Sequence, residues 1–206
     1  HFFQGKTPVD DPQTWVMGGG PAAGKSTLLR AGEVEIPENT VLAAGDEIKG
    51  MLPEYVGANS GFVHEESSYL SKRIAAEAAR SGYNILMDGT GNSRIDKLTK
   101  KIRSMGGGTR PVHGIYVTVD TEVAVARSVA RAKKTGRYMP ESVLRACHAG
   151  VSAVFPVAEH RDLYTTLRLY DTTTGSFKLI AQEIGGKLSV LDPMAYEKFL
   201  AKAEGG

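Results

Sequence analysis

The sequence predicts an α/β fold in three layers, with helices on both faces of a mostly parallel sheet and a β-hairpin near the C-terminus. Three observations predict it. Short apolar runs alternate with amphipathic helical stretches, the pattern of parallel strands joined by crossover helices. Aspartates close several of the apolar runs, at the strand ends where doubly wound sheets bind ligands. The tail then changes character, to two apolar runs joined by a turn rich in Thr and Gly, an antiparallel signal.

The elements follow in order. Residues 1–13 read as a lead-in containing Pro and Asp. Thr14–Gly18 is a short strand that runs into glycines, and Lys25–Glu33 a short helix. Thr40–Ala44 is a second strand, leading into a helical turn from Asp46. Ser60–Arg80 is the longest helical stretch, with Leu70, Ile74 and Ala78 one turn apart and Gly82 as its stop. Asn84–Asp88 is a third strand, apolar until its last residue. Ser93–Met105 is a helix with Ile95, Leu98, Ile102 and Met105 on one side, ended by Gly106–Gly108. Val112–Val119 is a fourth strand, Thr121–Lys134 a basic helix, and Pro140 opens a helix through Val154. Thr166–Tyr170 and Phe177–Gln182 form the hairpin around Asp171–Ser176, before a last helix at about Pro193–Ala203.

The 206 residues suit a single domain spanning 1–206, with the hairpin region at 160–190. A net charge of +2 is too mild to make nucleic acid or a membrane surface the main partner. The single cysteine, Cys147, excludes an intrachain disulfide and fits a reducing, cytoplasmic setting, where it reads as helix filler. No apolar run approaches the roughly 18 residues of a transmembrane helix, and no secretory signal is visible. The chain begins at His1 rather than Met, which predicts a piece of a longer protein or an expression scar at His1–Gly5.

The strongest local signal is Gly19-Gly20-Pro21-Ala22-Ala23-Gly24-Lys25-Ser26, a full G-x-x-x-x-G-K-[ST] phosphate loop between a strand and a helix. Its glycines let backbone N–H groups close around phosphate, and the helix dipole adds positive potential. Lys25 is placed to reach the β- and γ-phosphates of ATP and Ser26 to offer a hydroxyl to Mg²⁺. No N-K-x-D base-reading motif of a GTPase is present, nor an L-S-G-G-Q-like transport signature. The chain therefore reads as a kinase-type phosphate-loop protein.

Two aspartates follow apolar strands. Asp46 is placed either as a general base for an acceptor hydroxyl or as a helix N-cap; position alone leaves both open. Asp88, ahead of Gly89-Thr90-Gly91, fits the acidic residue that holds Mg²⁺ directly or through water, against the alternative of a simple Asp-Gly turn. Asp120 reads as an N-cap. His64-Glu65-Glu66-Ser67-Ser68 opens the long helix; its acids complement the helix dipole, and Glu66 and Ser68 are alternatively acceptor-pocket groups. His64 is either a cap or a substrate contact. Arg127, Arg131, Lys134 and Arg137 recur at near-helical spacing, as a solvated basic face or as donors of a lid that stabilises charge on a transferring phosphoryl group.

Taken together, Gly19–Thr27, Asp46-x-x-Lys49, His64-x-Glu66-x-Ser68, Asp88-Gly-Thr-Gly91 and Gly136-Arg137-x-Met139-Pro140 resemble, in order, the motifs of the zeta toxin family, kinases of bacterial toxin–antitoxin systems. The resemblance implies a three-layer P-loop kinase fold and ATP/Mg²⁺-dependent phosphorylation of the 3′-hydroxyl of the sugar in UDP-N-acetylglucosamine. It implies Lys25 on phosphates, Ser26 on Mg²⁺, Asp46 as base, Asp88 near metal or nucleotide sugar, Thr90 on substrate, and Arg131 and Arg137 as phosphate clamps. ATP is expected on Gly19, Gly20, Pro21, Ala22, Ala23, Gly24, Lys25, Ser26 and Thr27, with Arg127 nearby. The acceptor is expected against Lys49, His64, Glu66, Ser68, Asp88, Thr90 and Arg94. An antitoxin that blocks the ATP cleft is the implied protein partner. One departure stands out: Asn92 occupies the position where family members often have Arg directly after Gly-Thr-Gly, with Arg94 the nearest arginine. That leaves other acceptors open, a dinucleotide such as NAD or a polynucleotide 5′-hydroxyl, as well as a non-catalytic ATP-binding module.

Overall fold

A computed structural model of the chain describes residues 1–57, 59 and 61–204. Seven strands form one sheet in the order β2-β3-β1-β4-β5-β6-β7. They are β1 (Thr14–Gly18), β2 (Thr40–Ala43), β3 (Asn84–Met87), β4 (Val112–Thr118), β5 (Thr166–Asp171), β6 (Lys178–Ile184) and β7 (Lys187–Val190). The first five are parallel, and β6 and β7 join antiparallel. The expected hairpin is therefore the start of a three-strand meander whose first strand also extends the parallel sheet. β7 has no counterpart in the sequence reading, because its polar, half-exposed Lys187-Leu188-Ser189-Val190 lacks a buried face to advertise it.

The helices are α1 (Lys25–Arg30), α2 (Gly45–Lys49), α3 (His64–Arg80), α4 (Ile95–Ser104), α5 (Thr121–Thr135), α6 (Glu141–Val154), α7 (Ala158–Arg161) and α8 (Pro193–Ala201). Side chains alternate between the faces of β4: Ile115 and Val117, with Val119 just beyond the strand, join the cluster holding Leu28 of α1 and Ala124 of α5, while Tyr116 faces the other way. On that opposite face Val16, Val41, Ile85 and Met87 meet Ala75 and Ala78 of α3 and Leu98 and Ile102 of α4. A third cluster, around Phe155, binds the end of α6 and the inward face of α8 to β5 and β6. Phe2 and Phe3 of the lead-in rest on the α3/α4 side, Phe3 edge-on to Tyr83.

The long helix departs from the sequence reading in two ways. It starts at His64; the expected start at Ser60 lies outside the described residues. Its buried face is Ser67, Ser71, Ala75 and Ala78, not the row through Leu70 and Ile74, which are half-buried. Small side chains let the helix settle close to the sheet, and Ser71 donates to the Ala43 carbonyl at 2.9 Å. Elsewhere the caps follow the local chemistry. Asp120 accepts from Glu122 and Val123 N–H at the start of α5, and Asp192 accepts from Ala195 N–H ahead of Pro193 in α8. Among the described residues no helix is long and apolar enough to cross a membrane.

Phe155 is fully buried, edge-on to Tyr116 and to Phe199. Truncation to Ala is expected to cost about 3–5 kcal/mol, read as a lowered midpoint in urea denaturation with the m-value unchanged.

Candidate active site

The phosphate loop leaves β1 and enters α1, and its shape is set by what crowds it. Gly19 has φ 131°, and a Cβ there would lie 2.3 Å from the Val117 carbonyl oxygen of β4. A Cβ on Gly20 would lie 2.5 Å from the His148 ring of α6. His148 Nε2 donates to the Pro21 carbonyl at 2.9 Å, and burial pushes the imidazole down to about 4, so it braces the loop as a neutral donor. Thr172, just past β5, donates its hydroxyl to the Ala23 carbonyl at 2.7 Å. From the other side, Gly19 N–H donates to the Thr90 carbonyl at 2.7 Å, tying the Asp88-Gly89-Thr90-Gly91 loop to the phosphate loop.

Lys25 points into this cradle and donates to the carbonyls of Gly19 at 2.8 Å and Gly20 at 3.4 Å. Burial pushes its pKa down, with Asp88 and Asp46 opposing. Ser26 and Thr27 lie exposed at the start of α1. Asp88 stands at the end of β3; burial pushes its carboxyl up, and the Lys25 ammonium is the largest opposing influence. Its Oδ1 is buried with no hydrogen-bond partner.

Asp46 sits inside the first turn of α2, whose N-cap is Ala44. The capping alternative is therefore excluded: its carboxylate turns across the cleft instead. Arg137, just beyond α5, grips it with both arms, Nη1 on Oδ2 at 2.8 Å and Nη2 on Oδ1 at 2.6 Å. Burial alone would raise the Asp46 pKa, but the Arg137 fork, with Lys49 and Lys25, holds it below the ordinary value. Lys49 is buried, its Nζ 3.8 Å from Asp46 Oδ1. Arg131 of α5 presents a buried Nε with no hydrogen-bond partner. Burial and then Arg137 lower its pKa, with Asp46 opposing, which places it in the same field.

The structure thus brings together Lys25, Asp46, Lys49, Asp88, Arg131 and Arg137 at the C-terminal ends of β1, β2 and β3. Five other residues stand differently. His64 is exposed at the start of α3, its pKa lowered by partial burial and by Lys49. Glu66 and Ser68 share that first turn, and no hydrogen bond ties either to the cluster among the described residues. Arg94 is a correction: it points to solvent, 3.4 Å from Asp96, away from the cluster. Arg127 is another. Its guanidinium donates to the hydroxyl and carbonyl of Thr172 at 3.0 and 2.7 Å, so it anchors the loop behind the phosphate cradle rather than standing free for nucleotide.

Thr90 Oγ1 donates to Asn92 Oδ1 at 2.6 Å, so the residue that replaces the expected arginine folds onto its own loop. Sequence reasoning missed Thr172, His148, Tyr116 and Lys101. Tyr116 lies flat under two glycines, since a Cβ on Gly18 or Gly91 would fall 2.2 or 2.7 Å from its ring. Its hydroxyl meets His160 Nε2 at 2.7 Å and Tyr164 at 3.1 Å. Lys101 of α4 brings an ammonium over Gly89; burial, then Lys72, push it down to about 8. No local pattern flagged them, because each of their contacts joins segments far apart in sequence.

A glycine-lined loop after β1, closing over an invading lysine and faced by carboxylates after β2 and β3, on a parallel sheet with helices on both faces, defines the P-loop kinase fold. The chain belongs to the zeta toxin family: the family model "Zeta toxin" matches residues 2–183. A curated relative, Toxin zeta of Streptococcus pyogenes, is 27% identical over 99 residues, 45% of this chain and 34% of that protein. The chain thus matches only about a third of that relative's length. Among solved structures, the PezAT chromosomal toxin–antitoxin system of Streptococcus pneumoniae superposes with a TM-score of 0.71 at 16% identity, covering 100% of this chain and 92% of that one. The AvrRxo1-ORF1:-ORF2 complex solved with ATP superposes with a TM-score of 0.71 at 21% identity, covering 93% of this chain and 64% of that one. At these identities the likeness to solved structures is one of fold.

The Asp46–Arg137 pair makes a testable electrostatic statement. Because Asp46 has a lowered folded-state pKa, the pair stabilises above the ordinary carboxylate range and is lost as pH falls through that lowered value. In Arg137→Ala the Asp46 pKa is expected to rise, read by carboxyl-carbon NMR titration. The gap in melting temperature between wild type and variant should start to narrow below about pH 4 and close once pH has passed the lowered Asp46 value; a gap that does not narrow with acid would assign the effect to something other than this pair.

Proposed function

We propose that the chain is an ATP-dependent phosphotransferase that moves the γ-phosphate to a hydroxyl of a small molecule, best matched by the 3′-hydroxyl of the sugar in UDP-N-acetylglucosamine. The observation that carries the reading is the placement of Asp46 and Asp88 opposite Lys25 at adjacent strand ends, beside Arg131 of α5 and Arg137 just after it. Residues 19–27 take the phosphates, with Lys25 exchanging its loop carbonyls for phosphate oxygens. The donors available to Mg²⁺ are hard oxygens, the exposed Ser26 hydroxyl and the unpartnered Asp88 Oδ1. They fit an ion that keeps several waters and binds few protein groups beside substrate phosphates. Among the described residues no cluster of three or more His, Cys, Asp or Glu competes with that arrangement. When bound, Mg²⁺ neutralises charge on the β- and γ-phosphates.

Asp46 accepts the proton of the acceptor hydroxyl as its oxygen bonds to the γ-phosphorus and the bond to the ADP oxygen breaks. Ionised by its surroundings, it is competent as a base once Arg137 releases it. The same release frees the Arg137 fork for the transferring phosphoryl group, beside Arg131. Base activation and charge stabilisation are thereby coupled through one ion pair. Family membership supports the sugar nucleotide as acceptor and an antitoxin that blocks the ATP cleft as partner. Asn92, folded onto Thr90, favours a second reading in which the acceptor is another hydroxyl compound such as NAD.

The test incubates the protein with Mg-ATP and UDP-sugars, NAD, nucleosides and oligonucleotides in turn. One acceptor is expected to be phosphorylated, with kcat reduced about 10²–10⁴-fold in Asp46→Asn and ATP affinity kept within a few-fold. Equal turnover in the variant would remove Asp46 as base. ATP binding without transfer to any acceptor would mean a non-catalytic module.

A further inference from the structure

Among the described residues, and outside the groups used above, Lys101 is a charged side chain turned toward the cleft with no hydrogen bond or ion pair. Lys101 projects from α4 toward the end of β3, its Nζ 3.2 Å from where a Cβ on Gly89 would sit. Among the described residues it makes neither a hydrogen bond nor an ion pair, although Asp88 acts on it through space. Its strongest charged neighbour is another cation, Lys72 of α3. Lys25, by contrast, is satisfied by two loop carbonyls. A half-buried ammonium beside a second ammonium is costly unless an anion completes it.

The direction of approach says whose anion that is. α1, which carries the phosphate loop onward, buries Leu28 on one face of the sheet. α4 buries Leu98 and Ile102 on the other, with α3. Asp46 belongs to α2, which packs on α3. Lys101 therefore reaches the Asp88–Gly89 turn from the α2/α3 side, across the sheet from the triphosphate cradle, and on the side of the base. Asn92, neutral and bonded to Thr90, adds no charge there.

We propose that Lys101 is a specificity-determining residue that binds a phosphate or diphosphate group carried by the acceptor. Gly89 is bare where the ammonium passes, so a side chain at that position would displace it. The proposal rests on the reading of this side of the cleft as the acceptor site. It concerns binding, so it is tested without turnover.

The phosphate loop of the full chain is first saturated with a non-hydrolysable ATP analogue and excess magnesium, and inorganic pyrophosphate is then titrated by calorimetry. One further saturable site is expected. Its affinity should fall at least tenfold in Lys101→Met, stay within about threefold in Lys101→Arg, and be unchanged in Lys100→Met, an exposed lysine of the same helix. Affinity for the ATP analogue should be the same in all four proteins, which also reports that each is folded. Absence of a second site, a second site indifferent to Lys101→Met, or an equal loss in Lys100→Met would overturn the proposal. A Lys101-dependent second site in a protein that phosphorylates none of the acceptors tried would uphold it while the kinase reading falls.

Discussion

The constraint on which the site depends is the close approach of backbone at Gly19 and Gly20. Gly19 lies against the Val117 carbonyl of β4 and Gly20 against the ring of His148, so neither position has room for a side chain. The loop is held from three directions: by β4 and α6 on these glycines, by Thr172 on the Ala23 carbonyl, and by the Thr90 carbonyl on Gly19 N–H. Tyr116 supports both loops from beneath. Ordering the backbone before any phosphate arrives lowers the entropy cost of binding, since the N–H groups need no further arrangement.

Around that fixed loop, two carboxylates meet opposite electrostatic fates. Asp88 is half-buried with its enclosed Oδ1 lacking a partner, and burial raises its pKa. Burial also pushes the Asp46 pKa up, yet Arg137 and its neighbours reverse the sign. Separate environments give similar side chains different work, the general way a fold assigns acid–base roles. The Asp46–Arg137 contact also couples the strand-end base to the segment after α5, so whatever displaces one rearranges the other.

Much of the fold was legible in the sequence because the determinants are local. The glycine pattern, the apolar runs of β1 to β4, the Asp120 cap and the Pro140 boundary each act within a few residues. Errors fell where burial was decided by a neighbour. The buried face of α3 is a row of Ser and Ala because closeness to β2 and β3 matters there more than apolar bulk, and periodicity in Leu70 and Ile74 pointed elsewhere. β7 is an edge strand with little to bury, so its pattern carries no signal.

By itself the sequence determined the phosphate loop and the order in which strands deliver Lys25, Asp46 and Asp88, since strand direction and spacing follow from short-range pattern. Only the tertiary structure decided which charges meet. Arg137 and Asp46 are 91 residues apart, and nothing local distinguishes Arg137, which grips the base, from Arg127, which anchors Thr172. Nor does local pattern separate Lys101, turned into the cleft, from Lys100, turned to solvent. Adjacent lysines look alike along a chain; the angle at which α4 crosses the sheet makes one of them part of the site.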